Sequence, residues 1–249
     1  MSLHSSPPGD KDRQRARLIL QTALMSQLST AKQQWLSDQL SLVAIEKRNR
    51  SVDLAFGLCA RRLGKEPAAL SAMQQGQLSQ IMPGWKLDAV PAHAVARMLV
   101  LTCFSDPEQL AAQFARLLRH ADLQEQLALY RGLPLYPPSD ALNDQLAEGL
   151  RGNMSEVFEA IAHANPFAGW HLDTHRFNHM VLKALFIDST LAPIALLEQR
   201  NNVELAAMLL DYARERMAAS RPVSAELWTL AMPFMTYTEK KEFSLEQAS

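Results

Sequence analysis

The chain has 249 residues, 48% of them hydrophobic and 20% charged, with a formal net charge of -1. A chain of this length can bury enough apolar surface to fold without disulfides or metals, and its near-neutral charge creates no field toward nucleic acid or an anionic membrane. Lys and Arg are scattered and aromatics make up only 7%, which excludes a base-stacking platform in a basic groove.

The opening segment, through Ser5-Ser6-Pro7-Pro8-Gly9-Asp10, has no apolar core and no small-residue cleavage site, so it does not read as a signal peptide. Pro, Gly, Ser and charge predict a disordered tail over residues 1–12. Helical periodicity then begins with Leu18, Leu24, Met25 and Leu28 and continues through Trp35, Leu36, Leu40 and Val43. Val52, Phe56, Cys59 and Leu63 form the next stripe. Gly64 stops it, and Pro67 suits a new start.

Gly76, Pro83 and Gly84 mark residues 76–90 as a connector, after which Pro91 opens a helix with Val95, Met98, Leu99 and Thr102 on one face. Ser105-Asp106-Pro107-Glu108 signals another start: Asp106 can cap, Pro107 suits the first turn, and Ser105 with Glu108 fits a capping box one residue earlier. Leu110, Phe114, Leu117 and Leu118 make its apolar face. Residues 132–139 carry three prolines in Gly132-Leu133-Pro134-Leu135-Tyr136-Pro137-Pro138-Ser139, which excludes a helix there. The segment reads as an extended crossover, with the apolar lip of a ligand groove as the alternative.

Helical pattern resumes with Leu142, Leu146 and Leu150 and then Met154, Val157, Phe158 and Ile161, until Asn165-Pro166 ends it. Asp173 or Thr174 can cap a helix running through Ile187. A long helix carries Leu205, Met208, Leu209 and Tyr212, and Ser224 caps a short one with Leu227 and Trp228. Strand signals are nearly absent. The expectation is an all-α, antiparallel helical array in one domain over 13–235, with a frayed tail over 236–249. It either curves like a HEAT-type α-α superhelix or closes into a globule. Arg97 and Lys183 interrupt the longest apolar stretches, none of which reaches the ~18–20 residues that span a bilayer. The chain is therefore expected in the cytoplasm, with no membrane insertion and no nucleic-acid partner. Cys59 and Cys103 sit within apolar helical patterns and read as small buried hydrophobes in a reducing compartment.

The densest polar cluster runs from His171 to His179. His175 and His179 are four apart, the spacing of a two-histidine metal site on a helix. Arg176 occupies the place of the glutamate in His-Glu-x-x-His, and His171 is about 12 Å of helix away from His179. A metal would need a carboxylate from another helix, so the pair reads as a solvated or hydrogen-bonded stripe, and no metal or cofactor is expected. Lys183 lies among apolar residues on every face, which predicts an internal helix. Its ammonium must snorkel, pair or shift its pKa; the simplest reading is a pair with a carboxylate of a neighbouring helix, the alternative a binding or catalytic amine in a cavity. Glu204, Asp211 and Glu215 share a helix face and are partners for Lys183, His175 or Arg200, most simply in a salt-bridge network.

Several segments resemble the EboA family of metabolite traffic proteins. They are Tyr130 to Leu135, Asn153 to Ala162, Asn165-Pro166-Phe167, Asn178 to Phe186, Glu204 to Arg216 and Glu226-Leu227-Trp228. The resemblance covers about residues 50–235. This chain departs where it has Phe177-Asn178-His179-Met180 in place of Trp-Asn-Gln-Met, Phe167-Ala168 in place of Tyr-Pro, and Arg214 in place of a His. His179 is thus not a family feature. Asn165, Asn178, Lys183, Asp211, Tyr212, Glu215 and Arg216 match, and the resemblance makes them the candidate ligand-binding residues.

The resemblance implies a role in moving a secondary-metabolite precursor, with a small metabolite or proteins of the same gene cluster as partners. The expectation is a non-enzymatic accessory protein that binds in a groove between helices 173–187 and 203–217, with Asn178, Lys183, Glu215 and Arg216 orienting the ligand. The alternatives are an enzyme using His175 or Lys183 as base beside Asp211, and a pure protein-interaction scaffold.

Overall fold

The structure, a computed structural model, describes residues 6–246. It is all-α: among the described residues there is no strand, only an isolated bridge between Pro67 and Pro91. The described residues divide into two compact units, one up to His171 and one from Leu172 on, where periodicity alone suggests one domain.

The first unit contains α1 (Asp10–Gln27), α2 (Thr30–Glu46), α3 (Asn49–Leu63), α4 (Ala72–Ile81), α5 (Ala92–Leu101), α6 (Pro107–Leu118), α7 (Leu123–Arg131), α8 (Asp140–Arg151), α9 (Ser155–Ala162) and the short α10 (Phe167–His171). At its centre is α5, packed against α1, α2, α3, α6 and α7. Every residue of α5 is buried, not only the one face expected of it. Val95, Met98, Leu99, Val100 and Leu101 therefore each contribute about 2 kcal/mol of apolar burial.

That position also takes Arg97 and His93 inside. The guanidinium of Arg97 is satisfied by Glu125 Oε1 at 2.7 Å, by the Phe56 carbonyl at 3.2 Å and by His93 Nδ1 at 3.4 Å, and it lies 5.2 Å from the Phe56 ring centroid. Sequence reading saw Arg97 only as an interruption. Cys59 is fully buried nearby on α3, and burial pushes its thiol up to about 12. Cys103 is half-buried and shifted in the same direction.

Local signals account for most boundaries. Asp106 caps α6 by accepting from the Gln109 amide at 2.8 Å with Pro107 following; the Ser105–Glu108 box does not form. Asp122 and Glu125 make a reciprocal capping box at α7. Gly64 ends α3 at φ 89°, but Pro67 starts no helix, because Ser71 and Gln74 build the cap of α4. Gly76 lies inside that helix, a correction to the connector expected over 76–90. The proline-rich segment forms a 3-10 turn at Leu133–Leu135, with Leu133, Pro134, Leu135 and Tyr136 buried. It is core, not the lip of a groove.

The second unit contains α11 (Thr174–Phe186), α12 (Leu197–Arg200), α13 (Val203–Ala218), α14 (Ala225–Ala231), a 3-10 turn at Met232–Phe234 and α15 (Tyr237–Glu246). In α11, Phe177, Asn178, Met180, Val181, Ala184 and Leu185 are buried, while His175, Arg176, His179 and Phe186 are exposed. The helix is thus one-sided rather than internal.

Both predicted tails are shorter than expected. Residues 10–12 already belong to α1, and Phe243 of α15 is buried against Trp228, with ring centroids 4.9 Å apart. The rest of the tail expectation, over residues 1–5 and 247–249, lies outside the described residues. No helix among the described residues is long and apolar enough to cross a membrane.

Candidate functional site

The end of α11 sets up the site. After Ile187 the chain reverses at Asp188, whose φ is 55°, and the Ser189 amide returns to the Ala184 carbonyl at 2.8 Å. The loop that follows is held from the opposite side by Glu226. Its two carboxylate oxygens accept from the amides of Leu191 and Ala192, both at 2.8 Å. Glu226 stands in the first turn of α14 behind the Ser224 cap, where the helix dipole favours a carboxylate. Two loop amides that lie outside regular structure thereby gain a charged acceptor.

The pinned loop divides two clefts, and Glu226 lines both. The first, about 270 Å³, has apolar walls from Leu185, Tyr212, Pro222 and Val223, and polar groups from Asp188, Ser189, Thr190, Arg216, Ser224 and Glu226. The second, about 410 Å³, is lined mainly by apolar residues, among them Leu191, Ile194, Leu196, Leu197 and Leu230.

Two predicted residues meet in the polar cleft. The Tyr212 hydroxyl donates to the Leu185 carbonyl at 3.2 Å, and its ring stacks edge-on with Phe186 at 5.0 Å. Arg216 donates through Nε and Nη2 to the Pro222 carbonyl at 3.1 and 2.9 Å. These bonds fix the guanidinium while leaving Nη1 without a hydrogen bond among the described residues. Tyr212, Arg216 and Glu226 all bond to main-chain groups, so the cleft holds oriented donors and acceptors.

The other candidates lie elsewhere. Asn178 is fully buried and forms a reciprocal amide pair with Asn202, at 3.3 and 3.0 Å. Asn202 in turn caps α13 through the Leu205 amide at 2.9 Å. Asn178 therefore supports a helix start and is not among the residues lining either cleft. Lys183 is half-buried, its ammonium pushed down by burial, and is not among the residues lining either cleft. Asp211 is exposed and paired with Arg214 at 2.8 Å, and Arg214 also binds Glu242 of α15 at 2.9 Å. Glu204 and Glu215 are exposed and form no ion pair among the described residues. The acidic face thus builds its network through Arg214, not through Lys183, His175 or Arg200.

His175 and His179 are both exposed, with their Nε2 atoms 3.1 Å apart. Among the described residues no group of three or more His, Cys, Asp or Glu could hold a metal ion. Asn165 belongs to the first unit. Its amide donates to the carbonyls of Tyr130 and Ala160, each at 2.9 Å, and accepts from the Phe167 amide at 3.2 Å.

Sequence reading missed Glu226 as a site residue. The available signal was its place just inside a Ser cap, but its partners lie 34 and 35 residues away and no local pattern reports them. Neither a curated protein nor a solved structure matches the chain. A family model does, over residues 16–232. The chain belongs to the EboA family of metabolite traffic proteins.

Proposed function

We propose that this protein is a cytoplasmic, non-catalytic accessory of secondary-metabolite traffic that holds a small metabolite in the polar cleft of its second unit. The observation that carries the reading is the meeting of Arg216 and Tyr212 with the Glu226-pinned loop around a cleft of about 270 Å³. Arg216 is anchored on the Pro222 carbonyl before any ligand arrives, so little side-chain entropy is lost on binding. Its remaining N–H groups suit a carboxylate or phosphate, and the Tyr212 face supplies apolar contact.

Native mass spectrometry of the protein incubated with a small-molecule extract of the producing cells tests this. The expected result is one bound metabolite, with occupancy reduced about tenfold in Arg216→Ala, the loss of one charge-assisted contact. Equal occupancy in Arg216→Ala, or no adduct, counts against the cleft. Capture of gene-cluster proteins that survives Arg216→Ala, without a small-molecule adduct, would point to a protein-interaction scaffold instead.

A further inference from the structure

The first unit holds a cleft of about 330 Å³ whose floor is tied together by three distant segments. The last carbonyls of α7 have no partner within the helix. Asn165 Nδ2 takes that of Tyr130 at 2.9 Å, and Trp85 Nε1 takes that of Arg131 at 3.1 Å. The Lys86 amide donates to the Ala164 carbonyl at 3.0 Å, where Ala164 is held at φ 50°. The Trp85 loop, the end of α7 and the turn before α10 are thus fixed relative to one another without a ligand.

This frame carries charges of both signs. Arg131, Lys86, Glu156 and Asp88 line the cleft together with Glu159 and His163, which make further contacts, and none of the first four is within ion-pair distance of another. Lys86 and Asp88 stand on the Trp85 loop, Arg131 ends α7, and Glu156 lies in the first turn of α9. Arg131 is half-buried, and its guanidinium is pushed down by the loss of water with no carboxylate in compensation. A ligand anion at Arg131 restores that loss. A ligand that is only anionic meets the repulsion of Glu156 and Asp88, and one that is only cationic meets Arg131 and Lys86. A molecule bearing both charges meets a partner for each, and Trp85 and Leu127, which line the same cleft, offer it apolar contact.

We propose that this cleft is a binding site for a small zwitterion of the α-amino-acid class with an apolar side chain, its carboxylate on Arg131 and its ammonium on Glu156. The site lies in the other unit from the metabolite cleft and does not depend on it.

Calorimetric titration of the full chain with L-phenylalanine, phenethylamine and 3-phenylpropanoate tests the charge requirement. These share an aromatic body and carry both charges, the cation alone or the anion alone. Phenylalanine is expected to bind at least tenfold more tightly than either single-charge analogue. Arg131→Gln should lower phenylalanine affinity about tenfold and leave phenethylamine no weaker; Glu156→Gln should lower phenylalanine affinity and leave 3-phenylpropanoate no weaker. Arg131→Lys, which keeps the charge at the end of α7, should retain more phenylalanine binding than Arg131→Gln and guards against a folding defect. Arg216→Ala should change none of these values. Equal binding of the three probes, no binding of phenylalanine, or insensitivity to both charge-removing variants would overturn the proposal.

Discussion

Arg97 on α5 and Glu125 on α7 form an ion pair at 2.7 Å inside the first unit, with side-chain exposures of 3% and 20%. Glu125 serves twice, because its other oxygen accepts from the Asp122 amide at 3.3 Å and closes the capping box of α7. The pair therefore joins the central helix to the start of its neighbour. Removing one partner leaves a charge in the core, which is far worse than removing both. Glu125→Ala is expected to cost about 3 kcal/mol. Arg97→Met combined with Glu125→Gln should lie closer to the parent protein than Glu125→Ala alone. Urea unfolding measures both, and a Glu125→Ala midpoint equal to that of the parent refutes the prediction.

His93, beside Arg97, is 4% exposed. Burial first, then the charges of Arg97 and Lys65, push its pKa below 6.5, against a smaller opposing pull from Asp122. His171 is shifted the same way by burial and by Arg13. Below pH 6.5 the unfolded chain binds a proton that the folded chain resists. Stability from these residues is thus complete above about pH 6.5 and declines as pH falls toward the depressed folded values. Thermal unfolding from pH 7.5 to 5.5 should show this decline, and His93→Gln should make it shallower. An unchanged slope in the variant would remove His93 from the account.

Gly149 lies in the interior of α8, where Ala would ordinarily gain about 1 kcal/mol. A β-carbon there would sit 2.6 Å from Ile161 Cδ1 and 2.6 Å from Tyr130 Cζ and Oη. Tyr130 cannot easily yield, since it stacks on Phe114 and its hydroxyl reaches the Gln145 carbonyl. Overpacking of ~1–3 kcal/mol outweighs the propensity gain. Gly149→Ala should lower Tm, whereas Gly76→Ala in α4, with nothing within 4 Å, should leave it equal or raise it. A rise for both would show that Tyr130 relaxes freely.

Asn178 and Asp211 were expected to act alike as site residues, and their surroundings separate them. Asn178→Ala leaves the Asn202 amide without its buried partner and should cost ~1–3 kcal/mol. Asp211→Ala removes one contact of an exposed pair and should stay within ~0.5 kcal/mol. Circular dichroism melts of the two variants, recorded in parallel, distinguish them; equal shifts would contradict this division.

Of the predicted site residues, Tyr212 and Arg216 are the two that line the polar cleft. Tyr212 and Arg216 stand four apart on one helix, and a helix fixes such pairs on the same face whatever surrounds it. Lys183 misled because apolar neighbours on every side suggest an internal helix, whereas Phe186 and Leu182 stay partly in water and leave one side of α11 open. The charged cleft of the first unit was not legible at all. Its walls come from residues 85–90, 127–131 and 156–165, brought together by Asn165 and Trp85 acting on carbonyls 35 and 46 residues away.

What the chain settles by itself is what short-range physics settles: helical period, caps at Asp106, Asp173 and Ser224, the stop at Gly64, and an all-α architecture. Each of these depends on residues within a turn or two of one another. Tertiary structure alone decided that α5 is buried on every face, that Glu226 pins the loop between two clefts, and that Asn178 supports a cap. Those outcomes depend on which distant backbone amides and carbonyls end up adjacent and must be satisfied once water is excluded, and periodicity carries no record of that pairing.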